Sequence, residues 1–313
     1  AVGSFMVPAM EKDGYDKNFS ASLTAASATT GMLIPPSNIL IVYAVACGGI
    51  SIGALFMAGY VPGLIMGTAL LVLSAFYAKK HGMQAHGRSS LKEVAESFVK
   101  ALPSLLLIFL VIGGIVFGVF TATEAGAIAV LYALLISVFF YREIPVIELP
   151  DVMLKSVETT AIVMFLIAAS MAMSWMLAFE GIPQQISEFL LSLSDNKFVI
   201  LLIINILLLL VGAFLDMTPA VLIFTPILLP VALELGMTAL HFGIMLVMNL
   251  CIGLCTPPVG NLLFVSCAVA KTSISQLIRP MIPMYAVMFI ALLLVTYVPE
   301  LSESLPRFLG LYK

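Results

Sequence analysis

The sequence predicts an all-α polytopic membrane protein, built as an inverted repeat with re-entrant hairpins and two broken helices. Three observations carry this expectation. Hydrophobic residues fill 62% of the 313 positions and charged residues 10%, where a soluble domain carries about 25% charged residues. Apolar stretches recur at 19–47, 53–78, 102–141, 156–179, 198–235, 241–270 and 276–298, each meeting the roughly 20 residues that a spanning helix needs. Two Pro-Pro steps, Pro35-Pro36 and Pro257-Pro258, interrupt such stretches beside Gly and Asn. A net charge of −3 with no Lys/Arg block excludes a nucleic-acid footprint.

Taken in order, residues 1–11 read as the returning arm of a re-entrant hairpin. Its first arm is expected upstream of Ala1, because the matching later segment has LLLLVGAFLDMTP at 207–219 before its Pro230. The first broken helix, 19–47, is interrupted by TTGMLIPPSN at 29–38. Gly59, Gly63 and Gly67 give 53–78 a GxxxGxxxG face for close helix contact, within the chain, the favoured reading, or to a partner. The stretch 102–141 divides around TATEAG into spans 104–120 and 122–141. After the span 156–179, Ile182, Ile186, Phe189, Leu190 and Leu193 recur at helical spacing, predicting a short helix in the membrane surface. A second hairpin, 198–235, has its tip at DMTP; the second broken helix, 241–270, is interrupted by CTPPVGN at 255–261; a last span follows at 276–298. The expected division is a transport domain from 1–52 and 198–275, a mainly scaffold region with the interfacial arm helix at 53–197, and a C-terminal scaffold helix and tail at 276–313. Cys47, Cys251, Cys255 and Cys267 lie in apolar stretches without a histidine cluster and read as small core residues.

Shifting the chain by 222 residues matches Pro8 with Pro230, Gly14 with Gly236, Gly31 with Gly253, Pro35 with Pro257 and Pro36 with Pro258. Every match is a residue that dictates backbone shape, which a repeated fold keeps while other side chains change. Orientation follows from the cations. With 11–18 cytoplasmic, Lys12, Lys17, Lys79, Lys80, Arg88, Lys92, Lys100, Arg142, Lys155, Lys271 and Arg279 fall inside, and only Lys197, Arg307 and Lys313 outside, which satisfies the positive-inside rule. In that threading the two broken helices cross in opposite directions.

Broken helices near the bilayer midplane are where transporters hold solute and coupling ions. The end of 19–30 offers carbonyls bearing partial negative charge, suited to Na⁺, with Thr29, Thr30, Gly31 and Pro35 as contributors. The half-helix starting near Ser37 offers N–H groups with Ser37 and Asn38, suited to a carboxylate. The second copy repeats the device with Gly253 and Thr256 on the carbonyl side and Gly260 and Asn261 on the donor side, Thr256 serving either ligand. The hairpin tip adds Asp216 and Thr218 for the cation; the alternative for Asp216 is a helix N-cap, and the two roles can coexist. Glu124 and Glu158 are further acids in apolar stretches, each with a competing helix-start or span-edge reading. No HExxH occurs, and His81, His86 and His241 lie in or near connections, which argues against an enzyme.

The runs GSFMVPAMEKDGYDKNF, TAASATTGMLIPPSN, FTATEAGA, GAFLDMTPAVLIFTPILLP and LCTPPVGNLLF resemble the large membrane subunit of tripartite ATP-independent periplasmic (TRAP) transporters, over nearly the whole chain. The resemblance implies an elevator-type carrier of the bacterial inner membrane. It would import an organic acid, such as a C4-dicarboxylate, sialic acid or sugar acid, with Na⁺ as coupling ion. It also implies a small membrane subunit and a periplasmic substrate-binding protein as partners, and cation sites at the Gly31 and Gly253 breaks and the DMT tip. A stand-alone Na⁺/dicarboxylate symporter of the same superfamily and a channel are the competing classes.

Overall fold

The computed structural model describes residues 2–82, 90–194 and 196–312, and among them every regular element is helical. His86, Arg88 and Lys313 lie outside the described residues. In order, the helices are α1 (Val2–Lys12), α2 (Lys17–Leu33), α3 (Asn38–Ala46), α4 (Ile52–Lys80), α5 (Leu91–Val116), α6 (Ala122–Leu135), α7 (Leu149–Phe179), α8 (Ile182–Leu193), α9 (Lys197–Phe214), α10 (Met217–Glu234), α11 (Ala239–Gly253), α12 (Asn261–Ala270), α13 (Ile274–Tyr297) and α14 (Glu300–Phe308). They form two compact units, Ala1–Met83 with Ile167–Lys313, and Gln84–Leu166; the division falls inside α7.

The repeat is visible in the larger unit. Helices α2 and α11 start at Lys17 and Ala239, and α4 and α13 at Ile52 and Ile274, both pairs 222 residues apart. The caps correspond as well: Asp16 accepts from the Phe19 N–H at 2.8 Å and Thr238 from the His241 N–H at 3.1 Å, each satisfying an otherwise orphaned donor. The preceding turns rest on Gly14 (φ 89°) and Gly236 (φ 81°), a left-handed conformation that glycine adopts without a Cβ penalty. Both Pro-Pro peptide bonds are cis.

Contacts between the two broken helices fix their relative direction. The Cys255 Sγ lies 3.8 Å from the Ala25 carbonyl, the Cys251 Sγ 3.7 Å from the Met32 Sδ, and the Tyr43 hydroxyl donates to the Ala239 carbonyl at 2.6 Å. As the first partner rises from 25 to 43, the second falls from 255 to 239, so the two halves run antiparallel. The fully buried Tyr43 ring fills the space that a side chain at Gly243 would occupy. The glycine face of α4 is used within the chain, as its spacing predicts: Gly59 sits against the Leu33 carbonyl, a Cβ at Gly63 would lie 2.6 Å from the Ile34 side chain, and one at Gly67 3.2 Å from Thr30.

In the smaller unit, 102–141 is two helices rather than one, as expected. Capping boxes start α5 at Ser90 with Glu93 and α6 at Thr121 with Glu124, and the Tyr132 hydroxyl donates to the Pro103 carbonyl at 2.9 Å. A wider π-type turn at Ile136–Phe140 continues α6.

A helix forms at α8 as the spacing predicts, and the face it packs on the protein is not the apolar stripe. Pro183, Ser187 and Leu190 are buried while Phe189 and Leu193 are exposed, because the Ser187 hydroxyl donates to the Glu234 carboxylate and ties α8 to the end of α10. Cys251 and Cys255 are buried, and Cys47 and Cys267 half-buried.

Gly59→Ala places a methyl on the Leu33 carbonyl and is expected to cost about 1–3 kcal/mol, whereas Gly31→Ala meets nothing within 4 Å and, within α2, is expected to leave stability level or slightly raised. Thermal melts of the two variants in detergent check the contrast.

Candidate functional site

The site assembles around the two breaks. At the first, α2 ends at Leu33 and the chain turns by 50° before α3 resumes at Asn38. The Ile34 N–H bonds the Thr30 carbonyl at 3.1 Å and the Ser37 hydroxyl bonds the Met32 carbonyl at 2.5 Å. Ser37 therefore closes the end of α2, and its side chain makes no cap bond to α3. The first N–H of α3 to bond backwards is that of Ile41, to Ser37 at 3.4 Å. The backbone donors of Asn38, Ile39 and Leu40 have no partner among the described residues. Asn38 is exposed there and Pro35 buried.

The threonines before this break divide. Thr29 is buried, its hydroxyl donating to the Ala26 carbonyl at 2.6 Å beside Met288. The Thr30 hydroxyl is buried without a partner. Gly31 faces a cavity of about 610 Å³, shared with Thr24, Ser27, Gly3 of α1 and Leu262 and Ser266 of α12. That cavity brings the first break alongside the start of the second repeat's half-helix.

The second break is tighter. Its N–H groups are largely committed: Gly260 to the Ala213 carbonyl at 3.1 Å, Leu262 to Leu254 at 3.2 Å and Leu263 to Gly260 at 2.7 Å. The Tyr285 hydroxyl donates to the Cys255 carbonyl, and the Thr256 hydroxyl to Ile252 at 2.9 Å. Gly260 takes φ +52°, and a Cβ there would stand 2.9 Å from the Thr256 carbonyl. Carbonyls of the hairpin (Ala213) and of the break (Thr256) thus close on one glycine, and each carbonyl oxygen has a second lone pair. Asn261, the first residue of α12, is exposed.

Hairpin and break meet backbone to backbone: a Cβ on Gly253 would lie 2.6 Å from the Gly212 Cα. At the hairpin tip Asp216 occupies the N-cap position of α10 with extended backbone (φ −69°, ψ 158°), yet its carboxylate makes no cap hydrogen bond. Asp216 is exposed and Thr218 partly buried. Next to it, the Met217 Sδ lies 3.9 Å from the Cys251 Sγ, itself in contact with Met32. A chain of sulfurs thereby links the tip to the turn before the first break.

Glu124 takes the helix-start reading, accepting from the Thr121 N–H and hydroxyl at 2.8 Å each. Glu158 is exposed on α7. Sequence reasoning missed Gly212, Tyr285, and a buried pair, Asn205 and Asn249. A polar residue inside the run LLIINILLLL was the available signal for the pair; Tyr285 gave none.

The profile described as "Tripartite ATP-independent periplasmic transporter, DctM component" matches residues 1–301. This chain belongs to the DctM family. A Salmonella typhimurium relative called YgiK is 51% identical over 306 residues, 98% of this chain and 70% of the relative. The C4-dicarboxylate TRAP transporter large permease protein DctM of Pseudomonas aeruginosa is 41% identical over 99% of this chain and 73% of its own length. The sialic acid TRAP transporter large permease protein SiaM of Vibrio cholerae is 38% identical, over 99% and 72%. This DctM chain is accordingly an inner-membrane transport protein and not an enzyme.

Because Glu124 completes the capping box of α6, Glu124→Ala is expected to lower the thermal midpoint slightly, with Glu124→Gln milder and solute half-saturation unchanged in both. Melting curves beside uptake titrations of the full-length permease check this.

Proposed function

We propose that this DctM permease imports an organic acid together with Na⁺, receiving the solute from a periplasmic binding protein and working with a small membrane subunit. The observation that carries the proposal is the uncommitted Asp216 carboxylate at the tip of a hairpin packed backbone to backbone on a helix break. The Asp216 carboxylate at the tip, with the Ala213 and Thr256 carbonyls that close on Gly260, would supply hard oxygen donors for a small cation. The open donors of Asn38, Ile39 and Leu40 at the start of α3 suit a carboxylate. The second break, its donors largely spent, falls to the cation. Thr29, Thr30, Gly31 and Pro35 are assigned to a pseudosymmetric cation site, and Ser37, Gly260 and Asn261 to shaping the solute pocket.

The substrate class rests on relatives named for C4-dicarboxylate, sialic acid, and 2,3-diketo-L-gulonate, all of them acids. The partner proposal draws support from the tripartite description of the family and from a relative named Isethionate TRAP transporter permease protein DctMQ. In the proposed cycle the hairpin arms and broken helices move as one body past the remaining spans. We place α4 and α13 with that body, because α4 lies glycine-to-carbonyl on α2 and Tyr285 of α13 bonds the second break. Na⁺ offsets the carbonyl charge and so favours the anion, and neither ligand alone stabilises the moving state. With two or more Na⁺ per monoanion the cycle is electrogenic, each charge gaining about 2.3 kcal/mol per 100 mV.

In proteoliposomes containing the full-length permease, the small subunit and the binding protein, concentrative uptake is expected under an inward Na⁺ gradient and lost when K⁺ replaces Na⁺. Gradient-independent equilibration would indicate a channel instead. Asp216→Asn is expected to raise the Na⁺ concentration for half-maximal uptake about tenfold, the factor that 1.4 kcal/mol gives; an unchanged value removes Asp216 from the cation site.

A further inference from the structure

Four polar side chains lie buried between α9, α11 and α13: Asn205 and Asn249 at 0% exposure, His241 at 1% and Thr296 at 2%. The Asn249 amide donates to both the Asn205 backbone carbonyl (2.9 Å) and the Asn205 Oδ1 (2.7 Å). The Asn205 amide donates to the Leu201 carbonyl at 2.8 Å and the Thr296 hydroxyl at 3.3 Å. His241 reaches the Thr296 carbonyl at 3.2 Å. None of these groups is used in the cycle proposed above.

Their placement gives them a task. Asn205 and Gly212 on α9 meet Asn249 and Gly253 on α11, so the two helices run side by side in one direction. At 1.5 Å rise per residue, the asparagine contact stands about 10 Å before the glycine contact along α9 and about 6 Å before it along α11. The glycine contact is smooth backbone against backbone, with no side chain to resist sliding or rotation. Yet the height of the hairpin at that contact decides where the Ala213 carbonyl meets Gly260 and where the tip carrying Asp216 stands. The Gly260–Ala213 hydrogen bond holds the end of α9 at the break, and the asparagine pair adds a directional side-chain contact between α9 and α11 about two turns earlier along α9.

Energetics point the same way. Interhelical hydrogen bonds in membranes contribute about 0.6 kcal/mol on average. The Asn249 Oδ1 is buried without a partner, which costs about 1–3 kcal/mol. A pair of leucines would hold the helices together at least as well. A lone buried asparagine is best attested as a device that fixes register at some expense of stability.

We infer that Asn205 and Asn249 form a positioning clamp for the cation pocket, fixing the height of the hairpin tip against the second break; the inference rests on the pocket proposed above. Asn205 and Asn249 are positioning residues that do not touch the ion.

The test uses the full-length transporter in proteoliposomes, with Asn205→Leu, Asn249→Leu and the double variant. Two readouts are the Na⁺ concentration for half-maximal uptake and the thermal midpoint in Na⁺-free buffer. Each single variant is expected to raise half-saturation about threefold to fivefold, within the strength of one interhelical bond. The double variant should add nothing, because the two residues act as one contact. The midpoint should stay level or rise. Should Asn249→Leu fail to insert, Thr296→Val, which removes one partner of Asn205 and keeps the shape, is expected to raise half-saturation about twofold. Half-saturation unmoved in the variants while wild-type uptake needs Na⁺, or a fall in midpoint without any Na⁺ shift, overturns the clamp alone. Wild-type uptake indifferent to Na⁺ overturns the pocket and the clamp together.

Discussion

Inside hydrocarbon an unpaired backbone N–H or C=O costs several kcal/mol, so a helix broken within the bilayer has to find partners for the groups it frees. The two breaks meet this demand differently. At the second, the hairpin supplies the Ala213 carbonyl to Gly260, α13 supplies the Tyr285 hydroxyl to Cys255, and Leu262 reaches back to Leu254. At the first, Ser37 and Ile34 close the end of α2, and the three leading donors of α3 stay open. Two copies of one backbone device have thus become unequal, one sealed against a hairpin and one with its leading donors unpaired among the described residues. That inequality is what the proposed division between a cation and an anion rests on.

Both breaks depend on close approach. Gly212 against Gly253, Gly59 against Leu33 and Gly243 against Tyr43 are contacts in which any side chain on the glycine would have to displace its neighbour. Small residues matter here because lipid tails are as apolar as leucine and provide little drive for helices to associate; van der Waals contact has to supply it. Where the packing is less exact, sulfur fills in: Met32, Cys251 and Met217 adapt to one another between the two halves, as polarizable side chains with few shape demands can.

What the chain reveals before folding follows from the range of each interaction. Glycine and proline act on their own backbone, so the breaks, the repeat, the positive-φ turns at Gly14 and Gly236 and the divided span at Thr121 were legible from residues alone. The stripe on α8 was legible as a helix but not as a face, because the Ser187–Glu234 bond that turns it comes from 47 residues away. Ser37 read as a donor for solute, and its hydroxyl instead bonds the helix it follows. Tyr285 looked like one more apolar residue of a spanning helix. Asn205 and Asn249 were each visible as a polar residue in apolar company, but their pairing across 44 positions exists only in three dimensions.

The central claim is that the two mirror-related breaks form one pocket in which a sodium ion and an organic anion support each other. Equilibrium binding of an organic acid to the detergent-solubilised full-length permease, titrated at a series of Na⁺ concentrations balanced with choline, tests it most directly. The expected result is an affinity for the acid that climbs with Na⁺, matched by a Na⁺ affinity that climbs by the same factor with the acid, as linkage requires. An acid that binds equally well in choline alone would contradict the claim.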